Sequence, residues 1–183
     1  IGLISLIPLF MFKKAFEINV LHHEIVHDFF DTNTPYRIFF ISDIHRRKVS
    51  KKLLEKVGSN IDTVIIGGDL ADKRVDQKRL EANLFELAKI APIMYVWGNN
   101  DREVGEQIIR DQIAKVNGQI IENNSMGIGN GTSKVQLVAI DDVSSGKADM
   151  SRAFEIIQND HYVIFVSHTP SVFSKVVKEY HPN

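Results

Sequence analysis

Hydrophobic residues in this chain fall into short continuous runs, separated by longer stretches where they recur every three to four positions. The runs are residues 36–42 (YRIFFIS), 63–66 (TVII), 93–97 (IMYVW) and 162–167 (YVIFVS). Runs of this length, rich in Ile, Val, Phe and Tyr, predict strands covered on both faces. Between them, Ser50 is placed to cap a helix with Leu53, Leu54 and Val57 on one face and Gly58 as its stop. Asp76 opens a second helix with Leu80, Leu84, Leu87 and Ala88 on one face, and a third carries Val104, Ile108, Ile109, Ile113 and Val116 up to Gly118. The order β-α-β-α-β-α predicts a parallel sheet with right-handed crossovers.

The flanking regions follow other rhythms. Residues 17–30 read as a strand or a pair of short strands with His22, His23 and His27 exposed, followed by a turn cluster at 31–35. After Gly118, residues 119–122 and 134–140 read as the two strands of a hairpin, joined by an Asn- and Gly-rich turn at 123–131. A short helix near 150–157 precedes the run at 162–167, and residues 172–180 form a last helix.

Composition narrows the class. A chain of 183 residues, 44% hydrophobic and 25% charged, supports one domain with a real core. A formal charge of −1 argues against binding nucleic acid by electrostatics. Without cysteine there is no disulfide, thiolate zinc site or thiol nucleophile, so any metal must be held by oxygen and imidazole. Residues 1–12 are apolar apart from Gly2, Ser5 and Pro8, and Lys13-Lys14 follow. That is short of the roughly 20 residues a span requires. Residues 1–14 therefore read as the remnant of a membrane anchor, with the domain at 15–183 membrane-associated on the cytoplasmic side; a signal-peptide remnant or a packed segment is the blander alternative.

The candidate chemistry sits where the runs end. They stop on Asp43-Ile44-His45, on Gly67-Gly68-Asp69, on Gly98-Asn99-Asn100-Asp101 and on His168. Ligands of open α/β sheets bind outside the C-terminal ends of the strands, so four strands of one sheet would gather these groups along one edge. Asp43 and His45, two apart, would share a face of a continuing strand. Asp69 follows two glycines that permit a tight turn, and its two oxygens could bridge two cations. Asn99 adds a neutral oxygen and His168 an imidazole; a mixed oxygen and nitrogen set suits Mn, Fe, Zn or Co. Each piece alone is weak, since Gly-Asp is common in turns and a lone His is more often a surface or core residue. Four in order are not.

Together Asp43-x-His45, Gly68-Asp69, Gly98-Asn99-x-Asp101 and His168 resemble the ordered blocks of the calcineurin-like metallophosphoesterases, from about residue 17 to the C-terminus. The resemblance implies an α/β fold with two β-sheets face to face and flanking helices, a four-layer α/β/β/α sandwich. It implies a phosphate-ester substrate and two divalent transition metal ions, Mn first, then Fe, Zn or Co. Asp43 and His45 would hold one ion, Asn99 and His168 the other, and Asp69 would bridge. A metal-bound hydroxide would attack phosphorus. Asn99 and Arg46 would meet the substrate, and Asn100 and Asp101 occupy the block that carries the family's catalytic group. The stretch before the first block resembles the family's membrane-tethered branch.

Two departures stand out. Asn100 occupies the position of a histidine thought to protonate the leaving group, help worth roughly 10²–10⁴ in rate. Its loss favours diesters or activated esters. The family's closing Gly-His-x-His block is also lacking, since neither His161 nor His181 lies in one, and the chain reads as a fragment without the C-terminal part of the fold. Two other classes compete: a non-catalytic protein-binding scaffold, and a nucleotide-binding or receiver-like module. The latter lacks any glycine-rich phosphate loop and leaves His45 and His168 idle. Asp72 reads either as a turn residue or as support for the ligands, Arg47 and Lys48 as a solvated loop, and Trp97 as packing between strand and helix.

Overall fold

A computed structural model describes residues 10–11, 17–31, 33–157 and 160–182. Strands β1 (Ile38–Ile41), β2 (Thr63–Gly67), β3 (Ile93–Val96) and β4 (Gln119–Ile120) form one sheet in that order, all parallel. The crossovers are helices α1 (Lys51–Val57) and α2 (Gln77–Ala88), then a pair, α3 (Asp101–Val104) and α4 (Glu106–Lys115). The capping chemistry works as the sequence suggests. The Ser50 hydroxyl accepts from the Leu53 amide, the Asp76 carboxylate accepts from the Lys78 amide, and Gly58 stops α1 with φ 89°. The third helix differs from expectation. Gly105, at φ 113°, breaks it in two and rotates the apolar stripe, so that Ile109 and Ile113 are buried while Ile108 is exposed.

The second sheet has the order β5 (Asn124–Ile128), β6 (Val135–Ala139) and β7 (Tyr162–Val166), with β5 antiparallel and β7 parallel to β6. Three expectations change here. Residues 119–120 pair with β3 (Met94 opposite Gln119) instead of forming a hairpin with 134–140. Part of the supposed turn is itself strand β5, and a shorter turn joins it to β6. The run at 162–167 therefore belongs to the second sheet, and four strands of one sheet do not carry the candidate site. Asn123 makes the switch between sheets. Its φ is 49°, its side-chain oxygen accepts from the amides of Asp141 and Asp149, and its amide donates to Lys147 O. Asn tolerates this left-handed conformation better than most residues.

Alternation along each strand sorts side chains into layers. Val64, Ile66, Ile93 and Tyr95 pack under Leu80, Leu84, Leu87, Ile109 and Ile113 of the helices. Ile65, Met94 and Val96 face Val135, Leu137, Ala139 and Val166 of the second sheet. On that sheet's far side, Val138 and Val163 pack with Ala153 of helix α5 (Met150–Ala153) and with Val172, just before helix α6 (Phe173–Tyr180). The result is a four-layer arrangement of helices, sheet, sheet and helices. Each of Leu80, Leu84 and Leu87 is at most 1% exposed, and such burial contributes roughly 1.5–3 kcal/mol per side chain.

The N-terminal region departs most. Residues 17–27 form no strand. His22 and His23 are exposed, but His27 is half-buried, with its ring against Phe29 and Tyr162 at 4.9 and 5.0 Å. Phe29 and Phe30 pack against the cluster between the sheets, and Phe29 O accepts from the Lys134 amide at 2.8 Å, so packing and isolated hydrogen bonds hold the segment where no ladder forms. The membrane-associated location expected from residues 1–14 is withdrawn: among the described residues, no helix is long and apolar enough to cross a membrane. Of that stretch only residues 10 and 11 are described.

Candidate functional site

The site is built by loops that leave the strands in left-handed conformations. Asp43 (φ 53°) and His45 (φ 47°) lie past the end of β1, so they do not share the face of a continuing strand as expected. Asp69 (φ 53°) follows Gly68 (φ 91°) at the end of β2. Such backbone costs on the order of 1 kcal/mol or more at a non-glycine residue and must be held by its surroundings. Here the two loops are laced together: the Asp43 amide donates to Gly68 O and the His45 amide to Asp69 O, both at 3.1 Å.

Glycines make the close approach possible. A Cβ on Gly68 would fall 2.6 Å from His168 Nδ1 and 2.8 Å from Gly98 Cα. A Cβ on Gly98 would run into the Asp69 backbone nitrogen. The double glycine before Asp69 thus serves contact with a histidine from the other sheet as well as the turn.

The predicted residues converge. The Asp69 carboxylate is buried, with Oδ2 3.5 Å from His45 Nε2 and Oδ1 3.5 Å from His168 Nε2. Asp43 Oδ1 lies 3.9 Å from His45 Nε2, and Asn99 Oδ1 3.1 Å from His168 Nε2. Asp43, Asp69 and His168 offer one ligand atom each within 4.8 Å of one another. His168 is set by its other nitrogen, Nδ1, which lies 3.0 Å from Gly67 O and donates to it. Arg46 is exposed on the loop after His45.

Asn100 and Asp101 do different things. The Asn100 side-chain amide donates to Asp69 Oδ2 at 2.6 Å, and its backbone amide to Asp69 Oδ1 at 2.9 Å. Asp101 is fully buried. Its Oδ2 accepts from the amides of Asp69 (2.9 Å) and Gly98 (2.8 Å), and its Oδ1 accepts from that of Ala71 (3.0 Å). It ties the loops after β2 and β3 together. Burial pushes its carboxyl up to about 6, against those amide bonds. The Tyr95 hydroxyl also faces it, close enough to lower its pKa but short of hydrogen-bond geometry.

Several supporting residues were less visible in the sequence. Asp72 is buried beside His45, with Oδ2 3.6 Å from Nδ1. Asp141 and Asp142 lie just past the end of β6 and are also buried; Asp141 takes both terminal nitrogens of Arg102, and Asp142 Oδ1 accepts from Thr169 Oγ1, next to His168. The run before Asp141-Asp142 ends on carboxylates like the others, so the same rule could have found them. Trp97 is fully buried, with the guanidiniums of Arg102 and Arg110 over its ring at 4.5 and 5.2 Å.

This donor set fits a divalent cation. Among the described residues, Asp43 and Asp69 have no Lys or Arg partner, and their ion-pair neighbours are the imidazoles of His45 and His168. Oxygen and imidazole donors crowded together without a side-chain cation leave negative potential that a metal ion would satisfy.

Comparison with known proteins agrees with this geometry. The sequence matches the calcineurin-like phosphoesterase family over residues 36–182. It is similar to the uncharacterized protein YpbG of Bacillus subtilis (strain 168), 35% identical over 145 residues, which is 78% of this chain and 56% of YpbG. It is also similar to the phosphodiesterase YaeI of Escherichia coli (strain K12), 25% identical over 138 residues, 69% of this chain and 51% of YaeI. The chain spans about half the length of these curated relatives. With the match running from β1 through α6 and across all four blocks, the chain belongs to the calcineurin-like phosphoesterase family.

Proposed function

We propose that the protein hydrolyses phosphate esters, diesters ahead of monoesters, at a pair of divalent cations, Mn²⁺ foremost. The observation that carries this reading is the Asp69 carboxylate, whose two oxygens face two different imidazoles at 3.5 Å each. Asp43, His45 and Asp69 would hold one cation, and Asp69, Asn99 and His168 the other. Bound there, the cations would polarise phosphoryl oxygens and acidify water, chemistry that suits in-line displacement.

The remaining roles belong to the chain's own groups. Asn99, exposed at the rim, and Arg46 would orient the phosphoryl oxygens. Asn100 holds Asp69 in place through two hydrogen bonds and has no proton to give a leaving group. Esters whose leaving group needs little protonation are therefore the better substrates, and the similarity to a phosphodiesterase points the same way. The test is hydrolysis of bis(p-nitrophenyl) phosphate against p-nitrophenyl phosphate by the intact protein with Mn²⁺. The diester should be cleaved faster, and Asp69→Asn should abolish turnover. Equal rates with and without that substitution would end the proposal.

A further inference from the structure

The net charge of −1 conceals a separation of charge. From 46 to 52 the chain carries five cations, Arg46, Arg47, Lys48, Lys51 and Lys52, and no carboxylate, and all five residues are exposed. Among the described residues, the nearby ion pairs are Arg74 with Asp72 and Lys89 with Glu86, and none involves 46–52. Glu86 is close enough for Lys48 and Lys51 to act on its carboxyl, but its hydrogen bond goes to Lys89. Cations gathered without partners repel one another, and a bound anion relieves that repulsion.

The loop that carries the first three is held firmly. The Arg47 amide donates to Ile44 O at 2.9 Å. Asn83 of α2, 1% exposed, accepts from the Val49 amide on Oδ1 (2.9 Å) and donates from Nδ2 to Arg47 O (2.8 Å). A loop that only solvates its charges needs no buried amide to fix its backbone. Fixing it limits where Arg47 and Lys48 can reach, which lowers the entropy cost of gripping a ligand. Both residues line a groove of about 600 Å³ along the free edge of β1, and Asp43 lines the same groove. That volume suits a small ligand. Phe40, Ile41 and Leu53 give the groove an apolar surface, and Glu17 stands on the segment opposite. A phosphate held at Asp43 therefore shares one groove with an apolar wall and two cations on a fixed backbone.

We propose that Arg47 and Lys48 bind a second phosphate of the substrate, so that the protein prefers phosphodiesters carrying a further phosphate beyond the one cleaved. This rests on the phosphoester reading of the neighbouring site, with Arg46 left to the scissile group. The pair adds binding without touching the reacting atoms, so its effect falls on KM and leaves kcat nearly as it was.

The experiment compares thymidine 5′-(p-nitrophenyl phosphate) with the same ester bearing a 3′-phosphate, on the intact protein with Mn²⁺. The leaving group is identical, and the second phosphate should lower KM about 5–10-fold, the scale of charge-assisted contacts at an exposed site. In the double variant Arg47→Gln/Lys48→Gln the KM ratio should fall to about one. Lys175→Gln/Lys178→Gln on α6, equal in charge, should keep the ratio of the parent. Equal KM values in the parent would overturn the proposal and leave the hydrolytic reading standing. A ratio that survives Arg47→Gln/Lys48→Gln, or falls equally in the α6 variant, would overturn it too. Should neither ester be cleaved, calorimetry on the metal-free protein decides, with thymidine 3′,5′-bisphosphate against thymidine 5′-monophosphate. Tighter binding of the bisphosphate that is lost in Arg47→Gln/Lys48→Gln would uphold the second-phosphate site while the hydrolytic reading falls alone. Equal or undetectable binding of the two would overturn it.

Discussion

The two imidazoles of the site point Nε2 at opposite oxygens of one carboxylate, yet they are held by different means. His168 donates from Nδ1 to a backbone carbonyl, Gly67 O at 3.0 Å, across 101 residues of sequence and from the other sheet. His45 has a side chain behind it: Asp72, only 27 positions away on the next loop of its own sheet, pinned by Arg74. A backbone anchor requires that the main chain be reachable, hence a glycine at 68 and close contact between the sheets. A carboxylate anchor requires only one ionised group of fixed position. The His168 half of the site therefore depends on tertiary packing, and the His45 half on local chemistry.

The largest expected effect joins the halves. Asp69→Ala should weaken Mn²⁺ binding by more than the roughly 10–100-fold that follows loss of a supporting residue. Calorimetry showing ordinary uptake would mean that the imidazoles do not share a carboxylate. Next comes Gly68→Ala, which strains the φ of 91° and drives a methyl into the His168 ring. A loss of about 2 kcal/mol or more is expected from urea unfolding, with the His168 ring resonances displaced and those of His45 unmoved. Equal displacement of both would erase the distinction between the halves.

Asp101→Asn should act on both halves alike. At least one of the three backbone amides now bound to the two carboxylate oxygens would face an –NH₂ group: that of Ala71 in one orientation, those of Asp69 and Gly98 in the other. Leaving a buried donor unpaired costs about 1–3 kcal/mol, visible as a lower unfolding midpoint. A variant as stable as the parent would show that Asp101 does not tie the loops.

The smallest effect lies outside both halves, at the start of α4. Glu106 contacts Arg110 and Lys147, and Lys147 and Arg110, hydrogen-bonded to it, hold its carboxyl down from the ordinary 4.5 to about 2. A lowered pKa gives stability that is present above pH 4.5 and lost as pH falls towards 2. Glu106 is partly exposed, so the contribution is under about 1 kcal/mol. Denaturation of Glu106→Gln against pH should show a small deficit at pH 7 that vanishes near pH 2. A deficit that persists at low pH would refute an ionic origin.

The sequence by itself determined the parallel β-α repeat, the caps at Ser50 and Asp76, and the block residues at the ends of the runs, because strand runs and helix stripes are local patterns of burial. It could not say which sheet each run joins. The left-handed turn at Asn123 sends the chain from one sheet to the other, where the local Asn- and Gly-rich pattern is equally that of a hairpin turn. Nor could it separate Asp72 as a turn residue from Asp72 as the group behind His45, since the two readings differ only in where an imidazole from another loop comes to rest. Convergence was decided by tertiary structure. Asp43 and His45 reach Asp69 through backbone conformations that a continuing strand would not adopt, and His168 reaches it only because two glycines let one sheet's loops touch the other's. Periodicity records which face of an element is buried; it holds no record of which distant backbone will press against that face.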